Sequence, residues 1–256
     1  MHMKWAVFLN DQASVGANDY LVRKLNKAGI MPILRVHTPG LAPVQGDLTT
    51  MTKHYLDLGV QYFQLYNEPN LMVETGGRQP DVDRYLDLWL PAAEEVSKAG
   101  GLPGFGALSP QGEADDRQFL REALRSVRGR GKLDVLNRAW LAMHNYTGPR
   151  PLADPDGFRR FEQYNQIMQE ELGRALPIIG TEGGTHVSSH VSEDRQVEMV
   201  TGAYDYMRHR QPYNFAYTYW IIANEAGGGR DAEFSRHALF RPDGNSPLVD
   251  ALKALA

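Results

Sequence analysis

The feature of this sequence that most restricts its fold is a regular alternation of short apolar runs with longer amphipathic stretches. The apolar runs are rich in β-branched and aromatic residues and predict seven strands, over 4–10, 31–37, 61–68, 104–109, 138–146, 177–183 and 214–222. The stretches between them have helical periodicity, over 18–29, 48–59, 82–100, 116–129, 158–173 and 192–210. Strict strand–helix alternation favours right-handed βαβ units and therefore a parallel sheet.

The connecting loops differ in length, and this difference separates two α/β folds. Helix-to-strand links are tight, as in "AGI" and "LGV", whereas strand-to-helix links are long, as in "SPQGEADD" and "TGPRPLADPDG". Long loops at the carboxyl ends of strands are typical of a (β/α)8 TIM barrel with its site on that face. A doubly wound open sheet usually carries a glycine-rich phosphate turn, which "FLNDQASVG" lacks. With neither a linker nor an internal repeat, we predict one (β/α) barrel domain over residues 1–256.

Composition excludes several classes of partner. The 256 residues are 42% hydrophobic, enough for a sizeable core, and a net charge of −4 indicates no basic surface for nucleic acid. No apolar run approaches the roughly 18 residues of a membrane span. The absence of cysteine removes disulfides, thiol nucleophiles and cysteine-ligated metals. The opening "MHMKWAVFLN" does not have the pattern of a signal peptide, so localisation stays open, including secretion if further residues precede it.

Two glutamates stand where predicted strands end. "YFQLYNEPN" leads from a buried run to Glu68, and we expect Pro69 to hold Glu68 in extended backbone and to stop the strand there. "PIIGTEGG" ends in Glu182, and by alternation Gly180 and Ile178 share its face. Two carboxylates at the same end of parallel strands suit the cleavage of a glycosidic bond, one as proton donor and the other kept ionised.

Other strand ends supply polar and aromatic neighbours. Arg35 and His37 are two residues apart and share one face of their strand, as do His144 and Tyr146. Trp220 lies near the end of the last predicted strand, where its flat apolar face matches the C–H face of a pyranose. We expect these side chains at the mouth of the barrel, with two alternatives open: Arg35 as a structural ion-pair partner and His37 as a core histidine.

These motifs together resemble the clan A (4/7 superfamily) of retaining glycoside hydrolases, a cellulase-like TIM-barrel family. The resemblance rests on "YNEP" in one strand, "TEGG" three strands later and a tryptophan on the last strand. It implies a retaining β-glycosidase that acts on a β-linked oligo- or polysaccharide by double displacement, without metal or cofactor. It further implies that the two carboxyl groups lie roughly 5–5.5 Å apart.

The resemblance also implies a role for individual residues. Glu68 matches the acid/base and Glu182 the nucleophile. Asn67, before the acid/base, matches the residue that holds the sugar 2-hydroxyl. Tyr146, with His144 beside it, matches a tyrosine that hydrogen-bonds the nucleophile, and Arg35 matches a buried arginine that supports it.

The sequence departs from the clan pattern in its strand count. The clan places its acid/base on the fourth strand and its nucleophile on the seventh, whereas here they fall on the third and sixth predicted strands. We therefore expect a barrel that lacks its first strand, either because residues are missing at the N-terminus relative to a complete barrel or because the protein is a seven-stranded variant. Such a gap leaves two unpaired edges, and self-association is one way to cover them.

Two other functions remain open at this stage. A carbohydrate-binding barrel without turnover would fit the missing strand. A metal-dependent hydrolase would use His186 and His190, which are four residues apart near Glu182, but "THVSSHV" reads as a loop and we expect no metal site there. The identity of the sugar, its linkage and endo or exo action are not determined by the sequence.

Overall fold

The protein is described by a computed structural model over residues 2–224 and 234–255. In these ranges the main strands are β1 (Trp5–Asp11), β2 (Met31–His37), β3 (Tyr62–Leu65), β4 (Leu102–Leu108), β5 (Trp140–Tyr146), β6 (Ile178–Gly184) and β7 (Asn214–Tyr217). The helices are α1 (Asp19–Lys27), α2 (Leu48–Asp57), α3 (Val82–Ala99), α4 (Asp116–Gly129), α5 (Arg160–Leu172), α6 (Glu193–Met207) and α7 (Pro247–Ala254), with a 3₁₀ helix at Leu133–Asn137. A small hairpin joins β8 (Phe240–Arg241) to β9 (Gly244–Asn245).

The seven long strands form one parallel sheet in chain order, β1 to β7. In the described part of the chain the sheet curls into an incomplete (β/α)8 barrel, so the predicted barrel fold is confirmed in its truncated form. Strands β1 and β7 end the sheet on either side of a groove of about 870 Å³. This groove occupies the place of an eighth strand and reaches Arg35 and Glu182.

Side chains pack on both faces of the sheet, as alternation along each strand requires. Ile33, Trp140, Ala142, Ile179 and Ala216 fill the inside of the curl, whereas the opposite faces of the strands pack against the helices in the larger core cluster. Glycine is needed at one place in the inner layer. A Cβ atom on Gly104 would lie 2.6 Å from the indole of Trp140, so only glycine leaves room for that ring.

Two strands end earlier than the sequence predicted. Strand β3 ends at Leu65 and β7 at Tyr217, so Glu68 and Trp220 lie in the loops that follow. The expectation of extended backbone at Glu68 is wrong, because its φ is +37°. The backbone N–H of Glu68 donates to Ala107 O at 3.0 Å, and this bond draws the chain across to β4 instead of along β3.

The predicted faces of Ile178 and Gly180 are also wrong. Met143 pairs with Gly180 and His144 with Glu182, so Thr181 is an extra residue in β6. This irregularity shifts the alternation by one residue. As a result Ile178 packs in the outer cluster while Glu182 lies beside the inward His144.

None of the helices in the described ranges is both long and apolar enough to cross a lipid bilayer.

Candidate active site

Glu182 lies at the carboxyl end of β6 and is almost fully buried. Arg35 from β2 donates to its Oε1, and the hydroxyl of Tyr146 from β5 donates to its Oε2. Burial by itself favours the neutral acid, but the electrostatic interactions with His144 and Arg35 and the bond from Tyr146 outweigh it. Together they lower the pKa of Glu182 to about 2. Glu182 is therefore ionised at neutral pH.

Tyr146 stays protonated under the same conditions. Burial, together with the charge of Glu182 beside it, raises the pKa of its hydroxyl well above the usual range. The hydroxyl is therefore a fixed donor to Glu182. Tyr146 and Arg35 hold one carboxylate oxygen each, so the orientation of the Glu182 side chain is determined from two sides.

Glu68 and Glu182 share one imidazole. His144 is fully buried at the carboxyl end of β5, and its Nδ1 lies 2.8 Å from Glu68 Oε1 and 3.7 Å from Glu182 Oε2. Its Nε2 lies 3.5 Å from Arg35 Nη2, which can only donate. Nδ1 therefore faces both carboxylates, and Glu68 Oε1 is within hydrogen-bond distance of it.

Asn67 belongs to a short chain of amide contacts beside Glu68. Gln64, buried on β3, donates to Asn67 Oδ1 at 3.4 Å. Asn67 lines a small pocket together with Glu74, which lies in the loop between β3 and α3.

The sequence analysis did not identify Glu74, although it is a third carboxylate of this site. Burial, together with the charges of Glu68 and Glu182, raises the pKa of Glu74, against the opposing influence of Asn67 and Arg35. A glutamate in the middle of a long loop has no periodic or motif signal. The only available signal was its place in the loop that directly follows the Asn-Glu-Pro motif.

His37 lies at the rim of the site on the side of β2. His37 is exposed, and it lines a small pocket together with Arg35, Asn67 and Glu74. His37 and Arg35 do share a face of β2, as alternation predicts.

Trp220 lies beyond the end of β7. It lines the groove that also contains Glu182, and its backbone N–H donates to Gly183 O at 2.9 Å. His186 donates to Trp220 O at 2.9 Å and stacks on His237, with ring centroids 3.9 Å apart. Burial and the proximity of His237 lower the pKa of His186 to about 4, so this ring is neutral at pH 7.

The described residues contain no group of three or more His, Asp or Glu side chains arranged to hold a metal ion. His186 is engaged with Trp220 and His237, and His190 is exposed in the following loop. The two histidines singled out in the sequence therefore face different surroundings.

Comparison with known proteins gives structural matches only. No family model and no curated protein matches the sequence. A family 39 glycoside hydrolase from Bacteroides cellulosilyticus WH2 aligns with a TM-score of 0.65 and 17% identity, over 99% of this chain and 58% of that one. A monomeric β-xylosidase from Caulobacter crescentus CB15 aligns with a TM-score of 0.62 and 19% identity, over 93% and 55%. A family 128 (subgroup II) endo-β-1,3-glucanase from Pseudomonas viridiflava gives 0.62 and 14%, over 98% and 90%.

Because these identities are low, the matches show similarity of fold alone. The chain spans a little over half the length of the first two proteins and most of the third. The protein thus has the curled (β/α) barrel fold of TIM-barrel glycoside hydrolases.

Proposed function

We propose that this protein is a retaining β-glycoside hydrolase, with Glu182 as nucleophile and Glu68 as acid/base. The observation that carries this proposal is that both carboxylates contact the single imidazole of His144. The two facing oxygens are therefore at most about 6.5 Å apart, which is where the range of carboxyl separations in inverting enzymes begins. A short separation leaves no room for a water molecule between Glu182 and the sugar, so it supports direct attack by Glu182.

The state of Glu182 suits a nucleophile. Arg35 and Tyr146 orient its carboxylate, and a pKa of about 2 keeps it ionised over the whole physiological range. In the first step a Glu182 oxygen bonds to the anomeric carbon while Glu68 gives its proton to the leaving oxygen. In the second step Glu68 takes a proton from water, whose oxygen displaces Glu182 from the sugar.

The surroundings of the two glutamates suit a sugar. Asn67 and His37 offer polar contacts on the β2–β3 side, and Trp220 offers a flat apolar surface in the groove that contains Glu182. Proteins of the same fold include a β-xylosidase and an endo-β-1,3-glucanase, which supports a β-linked oligo- or polysaccharide as substrate.

The test is a panel of chromogenic β-glycosides and β-linked polysaccharides, digested by the wild type and by Glu182→Ala. We expect the wild type to release product from at least one substrate with retained anomeric configuration. Glu182→Ala should release none. Product of inverted configuration, or unchanged turnover by Glu182→Ala, would refute the proposal.

One observation favours a second function. The sheet is open between β1 and β7, and the groove in that opening reaches Glu182. Glycosyl transfer to an enzyme carboxylate benefits from the exclusion of water, whereas sugar binding does not require it. A carbohydrate-binding barrel without turnover therefore tolerates an open wall. Saturable binding of polysaccharide without product from any member of the panel would favour this function.

A further inference from the structure

The β2–β3 side of the site contains a pocket the size of one hydroxyl group. Its lining includes Arg35, His37, Asn67 and Glu74. Its volume of about 10 Å³ is just enough for one water-sized group. His37 and the Asn67 amide can donate, and the Glu74 carboxylate accepts, which is the combination that a sugar hydroxyl satisfies as both donor and acceptor.

The charge around this pocket is acidic. Glu74 interacts electrostatically with both Glu68 and Glu182, so three carboxylates lie close enough to affect one another. Among the described residues that line the pocket, Arg35 is the one permanent cation, and it is ion-paired with Glu182. A negatively charged sugar would therefore meet the Glu74 carboxylate here and no unpaired permanent cation.

From these observations we propose that Glu74, together with Asn67 and His37, selects neutral sugars and rejects uronic acids. The pocket takes one hydroxyl of the sugar, with Glu74 as its acceptor. The carboxylate of a uronic acid is too large for a pocket of this volume, and it is repelled by Glu74 wherever it lies nearby. This inference rests on the proposed function in so far as both place a sugar beside Glu68 and Glu182.

The experiment measures binding, so that it does not depend on turnover. Ligand-observed NMR titrations would compare methyl β-glucopyranoside, methyl β-xylopyranoside and methyl β-glucuronide, of which the first and third differ only at C6. We expect the wild type to bind at least one neutral glycoside about ten-fold more tightly than the glucuronide. Glu74→Gln keeps the shape of the side chain but removes its charge. It should weaken binding of the neutral glycoside about ten-fold or more, since a hydrogen bond to a charged group is lost.

Glu74→Gln should also reduce the preference for the neutral sugar, because repulsion of the glucuronide falls. The matched control is Glu113→Gln, since Glu113 accepts a 2.7 Å bond from Met72 N and supports the same loop outside the pocket. If Glu74 only supports the loop, Glu74→Gln and Glu113→Gln should change sugar binding alike. If Glu74 selects the sugar, Glu113→Gln should leave the preference for the neutral glycoside unchanged.

Three outcomes would overturn the inference: tighter or equal binding of the glucuronide, no binding of either neutral glycoside, or the same change in both variants. Turnover is measured separately with the chromogenic substrates. Preference for the neutral glycoside without any product would reject the proposed hydrolase activity and leave the assignment of Glu74 standing.

Discussion

At the scale of single residues, the environment of Glu182 makes it different from every surface glutamate of this chain. Its charge survives burial because Arg35 and Tyr146 contact its two oxygens and His144 lies 3.7 Å away. Glu68 has another environment, half-buried in a loop with positive φ and in contact with His144. Two carboxylates in unlike surroundings are suited to different tasks in one reaction.

Separate substitutions should reveal these tasks. Glu182→Ala should block formation of the glycosyl-enzyme, and azide in the vacated space should give a product of inverted configuration. Glu68→Ala should slow unactivated substrates by about 10²–10⁴-fold while sparing aryl glycosides that leave without a proton. With Glu68→Ala, azide should intercept the covalent intermediate and give retained configuration. NMR of the azide products distinguishes the two cases, and the reverse pattern would mean that the roles are exchanged.

The charge of Glu182 should also appear in stability. Glu182→Gln leaves Arg35 buried without its partner, so we expect the free energy of unfolding at pH 7 to fall by roughly 3–5 kcal/mol. The pKa of Glu182 is lowered from 4.5 to about 2 on folding, so the ionised form stabilises the fold above pH 4.5. That contribution is lost as the pH falls from about 4.5 towards 2, and the difference between wild type and variant should shrink in this window.

Urea denaturation followed by tryptophan fluorescence at pH 7 and pH 3.5 measures this effect. Glu170→Gln is the control, because Glu170 forms a solvent-exposed pair with Arg121 and its loss should cost less than about 1 kcal/mol. An equal loss for Glu182→Gln at both pH values would contradict the assignment of a lowered pKa.

At the scale of elements, the buried side chain of Asn70 joins the loops after β3 and β4. Asn70 is fully buried; its amide donates to Ser109 O at 2.7 Å and to Ala114 O at 3.0 Å, and its carbonyl oxygen accepts from Ser109 N at 2.9 Å. Gly112 permits this approach, because a Cβ atom there would lie 2.2 Å from the Asn70 amide nitrogen. The turn that carries Glu68 is thereby attached to the neighbouring strand.

Asn70→Ala should therefore affect both stability and catalysis. Three buried hydrogen bonds are lost, and we expect the free energy of unfolding to fall by roughly 2–4 kcal/mol. Because Glu68 is displaced, kcat should fall more than KM rises. Asn137→Ala is the control, since Asn137 is exposed and accepts one bond from Arg174. Chemical denaturation and steady-state kinetics on the two variants test this, and unchanged kcat in a destabilised Asn70→Ala protein would show that the loop does not position Glu68.

At the scale of the whole molecule, the open side of the barrel exposes two sheet edges. Leu9 on β1 is 57% exposed and Phe215 on β7 is 38% exposed, and both line the groove between these strands. Exposed apolar edge strands favour pairing with another chain. We accordingly propose self-association across this gap.

Leu9→Lys tests this proposal. A charge on the open edge should shift sedimentation velocity profiles towards the monomer, while the free energy of unfolding changes by less than about 0.5 kcal/mol because the site is exposed. Tyr20→Lys is the matched control, as Tyr20 is 75% exposed on α1, outside the residues that line the groove. A wild type that is monomeric at every concentration would rule the proposal out.

The fold class followed from the sequence alone, since period-2 and period-3.6 patterns are local and each strand and helix carries its own. The positions of Glu68 and Glu182 near strand ends followed for the same reason. Details that depend on neighbouring strands did not follow from the sequence. The left-handed backbone of Glu68 results from its bond to Ala107 on β4, and the extra residue Thr181 results from pairing with β5.

The tertiary structure alone decided which groups meet. That His144 contacts both catalytic candidates, and that Glu74 joins Asn67 in the same site, depends on loops and strands far apart in the chain. Local patterns do not record such contacts, because burial and charge at one residue are set by neighbours at large sequence separation. The sequence thus determined the barrel and the two glutamates at its mouth, and the packing of its strands and loops determined their charges and their surroundings.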